Sequence, residues 1–599
     1  MKKGNELVRV ADYIMETLYS IGTKHIFMVT GRGALFLTDA VAKHKEIKGI
    51  SVHHEQSAAY AAVAYSDYTG MPGACLVSTG CAGTNAITGV LNAWQDGIPC
   101  VFISGQNKLN ETTRFTGIPI RTYGQQEADI IPIVDSITKH SVMITDPSQI
   151  VYEMEKALYL AQNGRKGPVW IDVPLDVQNM RIRPSELKGF EVKEELNLEP
   201  NNNDIEYISN AINKAERPAI LIGSGIRSAE AIQDLQIFLE KNPIPVTYAG
   251  SATDIIDTNN PLNMGSVGIM GCTRSGNFTI QNCDLLIVLG SRLSSMTTGP
   301  DIKKFARDAK VLVVDIDKVE HSKSCLVIDR LIISDVKKVI TKLINKKIEK
   351  VNIEWITKCQ NWKNTFPRCE EKQRISEKVD LYYLAEIMSK VMPKKSVFLS
   401  DSGLIELILP TNIKFNQHQR CIHPASQGSM GFALPGIIGA YYASGLTPVS
   451  VIGDGSIMMN LQELETISYN KIPAKIIVIN NNVYSVIRKR MVELFRRTIG
   501  TEPENGLGCP DFSKVANAFE IRYVKIETSN DLEKELNSVM NIDGPVLCEI
   551  MGLENQNYIS MGHARNSKGA IVSRPLEDQT PYLDRELFLS QMIVEPIDQ

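Results

Sequence analysis

Short apolar runs alternate with amphipathic stretches along most of the 599 residues. In the first third, GACLVST and PCVFISG flank the stretch NAITGVLNAWQDG, and in the last third, VSVIGDG and AKIIVINNN flank NLQELETISYN. The middle third repeats the scheme with PAILIGSG, CDLLIVLGSR and KVLVVDID. Apolar runs of this length joined by helical stretches are typical of βαβ units. We therefore predict an α/β fold of three doubly wound parallel-sheet domains, the first and third sharing one plan.

Two polar segments divide the chain. The segment from Arg181 to Asp204 holds two prolines and ends in an asparagine run, which is typical of a linker. A second, lysine-rich segment runs from Asn345 to Ile375. We predict domains at residues 1–182, 203–345 and 376–556, and a tail at residues 557–599 that drapes over the last domain.

Composition narrows the class of partner. A hydrophobic content of 43% with 22% charged residues is typical of a globular protein, and a net charge of -4 gives no reason to expect nucleic acid or an anionic membrane as partner. We find no run of about 18 apolar residues and no signal-peptide core. The eleven cysteines are scattered without a CxxC pair, which indicates reduced thiols and a cytoplasmic location.

Candidate chemistry begins where two successive strands of the last domain end. Asp454 follows the run PVSVI, and Asn481 lies 27 positions later at the end of the next predicted strand. Parallel strands place their carboxyl ends at one edge, so both side chains are expected to meet there. Their oxygens suit Mg²⁺, while Gly453 and Gly455 let the backbone approach a diphosphate at a helix N-terminus. The pattern predicts a magnesium–diphosphate site.

GDG followed by paired asparagines resembles the thiamine diphosphate (ThDP) motif of the family that includes acetolactate synthase, pyruvate decarboxylase and benzoylformate decarboxylase. By this resemblance, Asp454 and Asn481 hold the metal through side chains and Val483 through its backbone oxygen. The other cofactor contacts implied in this segment are Gly453, Gly455, Ser456 and Tyr484.

A ThDP enzyme also needs an acid that activates the cofactor's aminopyrimidine. VHHEQSAAYAAVAYSDYTG supplies Glu55 just before a small apolar helix, whose packing is expected to desolvate the carboxylate. The segment resembles the HEQ helix of acetolactate synthases. In isolation the pattern favours a helix-start carboxylate near the positive dipole end, but the resemblance implies that Glu55 is the activating acid.

Three further segments extend the resemblance. In PASQGSMGFALPGIIGA, Met430 matches the apolar wedge that bends the cofactor, and Gly428 the carbonyl that accepts from its amino group. In DSGLIE, Gly403 and Leu404 match diphosphate contacts, although Leu404 replaces a donor side chain. TGCAGTNAITG and GRKGPVWIDVPLDV resemble the family's first domain. The family builds its active site between subunits, which implies a homodimer or homotetramer.

Departures from the family pattern concern the substrate. Where acetolactate synthases carry DAFQE, this chain has TYGQQE, so Gln125 replaces a phenylalanine while Gln126 is kept. Arg490 aligns with a substrate-selecting tryptophan, and RKRMVELFRR also holds Arg488. These arginines indicate either a solvated helix face or an anion site, since guanidinium groups pair with phosphate.

The middle domain raises the question of a flavin. GSGIR, GSR and DID resemble segments with which the acetolactate synthase branch holds FAD. Decarboxylases of the same fold carry no flavin, so FAD is possible but not required. The residues implied are Gly225, Arg227, Arg292 and Asp317.

Together these features predict ThDP- and Mg²⁺-dependent decarboxylation of an α-keto acid, most simply pyruvate, with carboligation of the resulting acyl carbanion to a carbonyl acceptor. A phosphorylated or nucleotide-linked keto sugar is one acceptor that the arginines suit. The alternatives are a simple acetolactate synthase and a 2-keto acid decarboxylase. The presence of Glu55, Asp454 and Asn481 argues against a non-catalytic scaffold.

Overall fold

The computed structural model describes residues 6–192, 198–323, 327–346, 348–349, 352–565 and 569–597. It contains three six-stranded parallel sheets flanked by helices, one in each third of the chain. The predicted α/β fold of three doubly wound domains is confirmed. Within the described ranges, no helix is long and apolar enough to span a bilayer.

The first domain has the sheet order β3-β2-β4-β5-β7-β6. Its strands are β1 (Val8–Arg9), β2 (His25–Met28), β3 (Lys48–Ser51), β4 (Gly73–Val77), β5 (Cys100–Gln106), β6 (His140–Met143), β7 (Val169–Pro174) and β8 (Arg181–Ile182). Its helices are α1 (Val10–Ser20), α2 (Leu35–Lys43), α3 (Glu55–Thr69), α4 (Cys81–Asn85), α5 (Ile87–Asp96), α6 (Thr113–Thr116), α7 (Ile131–Val134), α8 (Ile150–Gln162) and α9 (Leu175–Asn179). β8 pairs antiparallel with β1, so the start of the predicted linker closes this domain.

The central domain has the order β11-β10-β9-β12-β13-β14. Its strands are β9 (Pro218–Ile222), β10 (Val246–Tyr248), β11 (Asn263–Ser266), β12 (Leu285–Leu289), β13 (Lys310–Asp315) and β14 (Arg330–Ile333). Its helices are α10 (Asn202–Lys214), α11 (Gly225–Ser228), α12 (Ile232–Lys241), α13 (Arg274–Asn282), α14 (Ser295–Thr298), α15 (Val336–Ile344) and α16 (Ile353–Thr365). Successive strands are added in one direction from β9 to β11 and in the opposite direction from β12 to β14, and parallel sheets bind ligands at the point where this order reverses.

The third domain has the order β16-β15-β17-β18-β20-β19, the same plan as the first. Its strands are β15 (Ser396–Leu399), β16 (Gln419–Ile422), β17 (Pro448–Gly453), β18 (Lys475–Asn480), β19 (Arg522–Ile526) and β20 (Val546–Met551). Its helices are α17 (Glu371–Arg374), α18 (Leu381–Val391), α19 (Gly403–Asn412), α20 (Ala433–Ser444), α21 (Glu463–Tyr469), α22 (Ser485–Phe495), α23 (Phe512–Ala518) and α24 (Leu532–Met540). The expected likeness between first and third domains is therefore present in strand order.

The tail lies largely against the central domain, and not over the third domain as expected from its position in the chain. Its elements are β21 (Ser560–Met561), β22 (His563–Arg565), β23 (Ile571–Ser573), β24 (Gln579–Thr580) and α25 (Arg585–Gln591). Asn277 donates to Gln579 at 2.9 Å, and Arg307 pairs with Glu577 at 2.8 Å. α13 buries polar side chains that need partners, and the tail supplies them.

Small residues join the first and third domains. α3 is rich in alanine, and its residues from Ser57 to Ser66 are buried where the helix packs against α20. A Cβ added at Gly439 of α20 would lie 2.0 Å from the backbone oxygen of Ala61, so the two helix backbones are in close contact. Only small residues permit this approach. The contact fixes the start of α3, where Glu55 lies, relative to the third domain.

Candidate functional site

Asp454 and Asn481 lie together at the carboxyl edge of the third sheet. β17 and β18 are parallel neighbours, so the residues that follow them share this edge. The Asp454 carboxylate accepts from the backbone amides of Gly455 at 2.7 Å, Asn481 at 3.1 Å and Asn482 at 2.6 Å. Its burial raises the pKa of Asp454, and the three amides act in the opposite direction.

Two further oxygens lie at this edge, and one of them, the Val483 carbonyl, also accepts from the Ser485 amide at 3.0 Å. The Asn481 side-chain amide donates to Ser485 Oγ at 2.9 Å, which orients its oxygen away from Ser485. That oxygen accepts only a long bond, 3.4 Å, from the amide of Val483. A carboxylate, an amide oxygen and the Val483 carbonyl are the hard donors that Mg²⁺ prefers. The residues present therefore fit a magnesium ion.

Tyr484 closes one side of the Asp454 loop. A Cβ added at Gly455 would lie 2.0 Å from Tyr484 Cε1 and 2.8 Å from its hydroxyl oxygen, so only glycine fits beneath the ring. Burial raises the pKa of Tyr484, and the nearby Asp454 adds to the effect. The sequence predicted that a diphosphate lies close to the Gly455 backbone. In the structure, the Tyr484 ring also lies close to this backbone.

Asp401 is a buried acid that the sequence reasoning did not single out. Its Oδ2 accepts from Ser456 Oγ at 2.8 Å and from the Gly431 amide at 3.1 Å, and its Oδ1 from the Ser402 amide at 2.6 Å. Complete burial raises the pKa of Asp401 to about 7. One side chain thus ties together the loops after β15, β16 and β17. An aspartate directly after the apolar run SVFLS was the available signal.

The remaining predicted cofactor residues lie on these same loops. Gly403 (φ +72°) opens α19, and Gly428 (φ +58°) lies in the loop before α20. Both have a left-handed backbone that favours glycine. The Leu404 side chain is buried in the domain core, so only its backbone can face a ligand. Met430 is half-buried and directly precedes Gly431.

Glu55 is the first residue of α3, where the sequence placed it just before a helix. Its carboxylate is half-buried and accepts from the Asn85 side-chain amide at 2.9 Å. The preceding His54 caps the helix by accepting from the Gln56 amide at 3.2 Å. The carboxylate therefore lies at the positive end of the helix dipole with one fixed neighbour.

Asn460 bridges the start of α3 to the Asp401 loops in the same chain. Its side chain accepts from Ser57 Oγ at 2.9 Å, and donates to Gln56 Oε1 at 3.0 Å and to the Gly431 carbonyl at 2.9 Å. Gly431 is itself bonded to Asp401. The neighbours of Glu55 and the cofactor loops are thus joined by direct hydrogen bonds. Asn460 opens the stretch NLQELETISYN but carried no motif of its own.

Gln125 and Gln126 are exposed on a loop whose base is held by hydrogen bonds. The Asn107 side chain donates to the Gln125 carbonyl at 2.9 Å, and Gln126 has a left-handed φ of 59°. The buried Glu127 carboxylate accepts from Thr113 and from the Tyr123 amide at 3.1 Å. The two glutamines are therefore held at the surface by the buried residues beside them.

The arginine-rich helix is α22, which buries none of its residues. Arg488 pairs with Glu554 and with Glu502 at 3.4 Å, and Arg490 pairs with Glu493 at 3.2 Å. Carboxylates therefore compensate both arginines that the sequence predicted for an anion.

The four residues predicted for FAD line one cavity of about 850 Å³ at the carboxyl ends of β9 and β12. A Cβ at Gly225 would lie 2.6 Å from Gly290 Cα, so the backbones there are in contact. Arg227 pairs with Asp254 at 2.9 Å and Asp317 with Arg165 at 3.0 Å, while Arg292 donates to Ser426 at 3.3 Å. The volume lies within the usual range for a cofactor pocket.

Three parallel α/β domains, with oxygen donors gathered at one strand edge of the third, define a cofactor-dependent enzyme class. Comparison with family models identifies it. Residues 8–133 match the N-terminal TPP binding domain of thiamine pyrophosphate enzymes, residues 205–343 the central domain, and residues 401–550 the C-terminal TPP binding domain. The chain belongs to the thiamine pyrophosphate enzyme family.

Individual relatives place it on the acetolactate synthase branch. The acetolactate synthase large subunit of Cyanidium caldarium is 30% identical over 581 residues, which are 93% of this chain and 96% of the relative. That of Porphyra purpurea is 31% identical over 568 residues, 92% of each chain. The acetolactate synthase isozyme 2 large subunit of Escherichia coli is 29% identical, covering 91% of this chain and 96% of the relative.

Proposed function

We propose that the protein uses ThDP and Mg²⁺ to decarboxylate pyruvate and to join the resulting two-carbon unit to a carbonyl acceptor, as an acetolactate synthase-like carboligase. The observation that carries this proposal is the set of oxygen donors from Asp454, Asn481 and Val483 at the end of β17 and β18. The acetolactate synthase relatives support the choice of reaction.

Each residue has a distinct part in this proposal. Asp454, Asn481 and Val483 would hold Mg²⁺, and the Gly455–Ser456 segment would contact the diphosphate. Bound ThDP supplies a thiazolium that accepts the electron pair left when CO₂ departs. Glu55 would bind the aminopyrimidine and hold a proton there, and Asn85 orients its carboxylate.

Two acceptors follow from two different observations. A second 2-keto acid is favoured by the names of the relatives, which are acetolactate synthases. A phosphorylated or nucleotide-linked keto sugar is favoured by Arg490 in place of an indole. The carboxylates that pair with Arg488 and Arg490 reduce the free positive charge on α22, so we place the 2-keto acid first.

We propose that the enzyme is a homodimer or homotetramer whose subunits share active sites. Exposed apolar side chains on and after α22, and on the loop before Gln125, support an interface at these two surfaces. The residues concerned are Phe115, Ile118, Leu494, Phe495 and Ile499, each more than half exposed. Burying such a patch against a second copy is the common way to remove it from water.

FAD is a further proposal, supported by the cavity that Gly225, Arg227, Arg292 and Asp317 line. A visible absorption band in the purified protein, lost on acid precipitation and recovered in the supernatant, tests it. The cytoplasmic location stays a prediction from the sequence.

The reaction is tested by measuring CO₂ release from pyruvate with protein reconstituted with ThDP and Mg²⁺. The proposal predicts release that needs both additions, together with acetolactate from pyruvate alone. CO₂ release that requires a phosphorylated acceptor would identify the keto sugar, and not a second 2-keto acid, as the acceptor. A reconstituted protein that binds ThDP but releases no CO₂ from pyruvate would contradict the proposal.

A further inference from the structure

Arg32 lies at the carboxyl edge of the first sheet, in a short turn (Arg32–Ala34) that follows β2. In the sheet, β2 is flanked by β3, which leads to Glu55, and by β4, which leads to the turn before α4. Parallel neighbours deliver their following residues to one edge. Arg32 therefore occupies the edge position between the Glu55 segment and α4, which ends at the Asn85 partner of Glu55.

Close contacts fix the backbone on both sides of Arg32. A Cβ at Gly31 would lie 2.4 Å from Ser78 Oγ, and a Cβ at Gly33 would lie 1.8 Å from Thr79 Oγ1. The Gly33 amide donates to Ser78 Oγ at 3.2 Å. Only glycine fits beside this turn, while Arg32 between the two glycines is exposed. Its side chain thus starts from a fixed point and reaches into solvent.

The guanidinium is oriented by Gln125. Arg32 Nη1 donates to Gln125 Oε1 at 2.8 Å. The Gln125 carbonyl is held by Asn107, and a Cβ at Gly80 would lie 1.8 Å from the Gln126 carbonyl oxygen, so the glutamine loop is packed against the β4 turn. The Arg32 side chain and the Gln125–Gln126 segment are consequently held together at this edge of the first sheet.

The Arg32 guanidinium is hydrogen-bonded to a neutral side chain, that of Gln125. Across the described part of the chain, no carboxylate lies within 4.0 Å of its guanidinium nitrogens, whereas Arg114 of the same domain pairs with Asp129 at 3.0 Å. Arginine has five donors in a planar fork that matches carboxylate and phosphate. Gln125 takes one donor, and since no other described residue accepts from the guanidinium, most of the fork can meet a ligand.

We infer that Arg32, positioned by Gln125, is a specificity-determining residue that binds the anionic group of the carbonyl acceptor. This assignment rests on the proposed carboligase function for its acceptor, but the anion site itself does not require turnover. The shared chemistry is an oxyanion, which a 2-keto acid supplies as a carboxylate and a phosphorylated acceptor as a phosphate.

Binding of two probes tests the site without catalysis. Isothermal titration of the holoenzyme with oxamate and with inorganic phosphate is compared for the wild type, Arg32→Met and the matched control Arg181→Met. Arg181 is an exposed arginine of the same domain that lies on β8. We expect Arg32→Met to weaken one of the probes about tenfold, as the loss of a charge-assisted pair implies, and Arg181→Met to leave it unchanged.

The affected probe identifies the anion: loss of oxamate binding assigns a carboxylate, and loss of phosphate binding assigns a phosphate. Equal affinities in all three proteins, equal weakening in both variants, or a wild type that binds neither probe would overturn the assignment. Arg32→Gln, which keeps a polar side chain, serves as a second variant if Arg32→Met fails to fold.

A kinetic comparison separates this assignment from the proposed function. With pyruvate as donor, Arg32→Met is expected to raise the KM for an anionic acceptor about tenfold while the KM for acetaldehyde, which is uncharged, stays within about twofold. An equal rise for both acceptors would refute a role in anion recognition. Failure of all turnover with Arg32-dependent probe binding intact would reject the proposed reaction and retain the anion site.

Discussion

Replacement of Asp401 by asparagine offers a quantitative test of how the cofactor loops are held. Burial raises the pKa of Asp401 from an ordinary value of 3.8 to about 7 in the folded protein. Because the folded pKa is the higher one, the stability associated with this group is fully present below about pH 4 and is lost as the pH rises through about 7. A difference of about three in pKa corresponds to about 4 kcal/mol across that window.

The effect of Asp401→Asn on the free energy of unfolding should change sign with pH. Asparagine can keep one oxygen toward Ser456 and Gly431, but its NH₂ then faces the Ser402 amide, which loses an acceptor at a cost of about 1–2 kcal/mol. At pH 4.5, where deprotonation of the unfolded chain has already removed about 1 kcal/mol from the wild type, Asp401→Asn is therefore expected to be less stable by at most about 1 kcal/mol. At pH 8, where the wild type buries a charged carboxylate, the variant is expected to be more stable by about 2–3 kcal/mol.

Native-state hydrogen exchange of the β17 and β18 amides measures the opening free energy of the third domain at each pH. Asp172→Asn is the matched control because Asp172 is also buried with a pKa raised to about 7, but it bonds Ser104 and Gln106 in the first domain. It should leave exchange in β17 unchanged. Opening free energies of the wild type and Asp401→Asn that run parallel between pH 4.5 and 8 would refute the reasoning.

Three further predictions concern the cofactor. Glu55→Gln should bind ThDP and Mg²⁺ within about threefold of the wild type, by calorimetry, while turnover falls at least about 100-fold; undiminished turnover would reject Glu55 as the activating acid. Gly455→Ala should cost about 1–3 kcal/mol in thermal or urea unfolding and weaken Mg²⁺–ThDP binding, because the new Cβ meets Tyr484, whereas Gly508→Ala faces open space and should change neither. Mixing Glu55→Gln with Asp454→Ala subunits after reversible dissociation should restore about a quarter of wild-type activity if dimers share their sites, and none if each chain is self-sufficient.

The predictable part of the site is the part that follows from strand periodicity. The runs PVSVI and AKIIVI predicted β17 and β18, and parallel pairing then required Asp454 and Asn481 to meet. Both residues lie directly after their strands, so no long-range packing had to be known. The same reasoning gave the three-domain α/β fold.

The remaining contacts depend on segments that are far apart in sequence. Asp401 bonds Ser456 across 55 residues, and Asn460 bonds Ser57 across 403 residues. Neither residue lies in a spacing that predicts a partner, because hydrogen-bonded loops have no sequence period. The hydrogen bond between Arg32 and Gln125 spans 93 residues and has no sequence signal for the same reason.

The prediction that the tail packs on the third domain was wrong, because the hydrogen bonds that hold the tail also join segments far apart in sequence. Nearness in sequence to the third domain suggested that the tail covers it, but α13 buries Asn277 and Gln281 and needs hydrogen-bond partners. Glu577 accepts a hydrogen bond from Gln281 at 2.7 Å, and Gln579 accepts one from Asn277 at 2.9 Å. The cost of an unpartnered buried amide, about 1–3 kcal/mol, outweighs chain proximity.

The helix contact and the hydrogen bonds together explain how the first and third domains of one chain keep their relative position. α3 and α20 approach to backbone contact at Gly439, so their relative position has little freedom. Asn460 then connects the first turn of α3 to Gly431, and Asp401 connects Gly431 to the loop after Asp454. A shift of α3 relative to the third domain would therefore break hydrogen bonds of Asn460. Substitutions at the helix contact are therefore expected to affect cofactor binding even though none of them touches the cofactor loops.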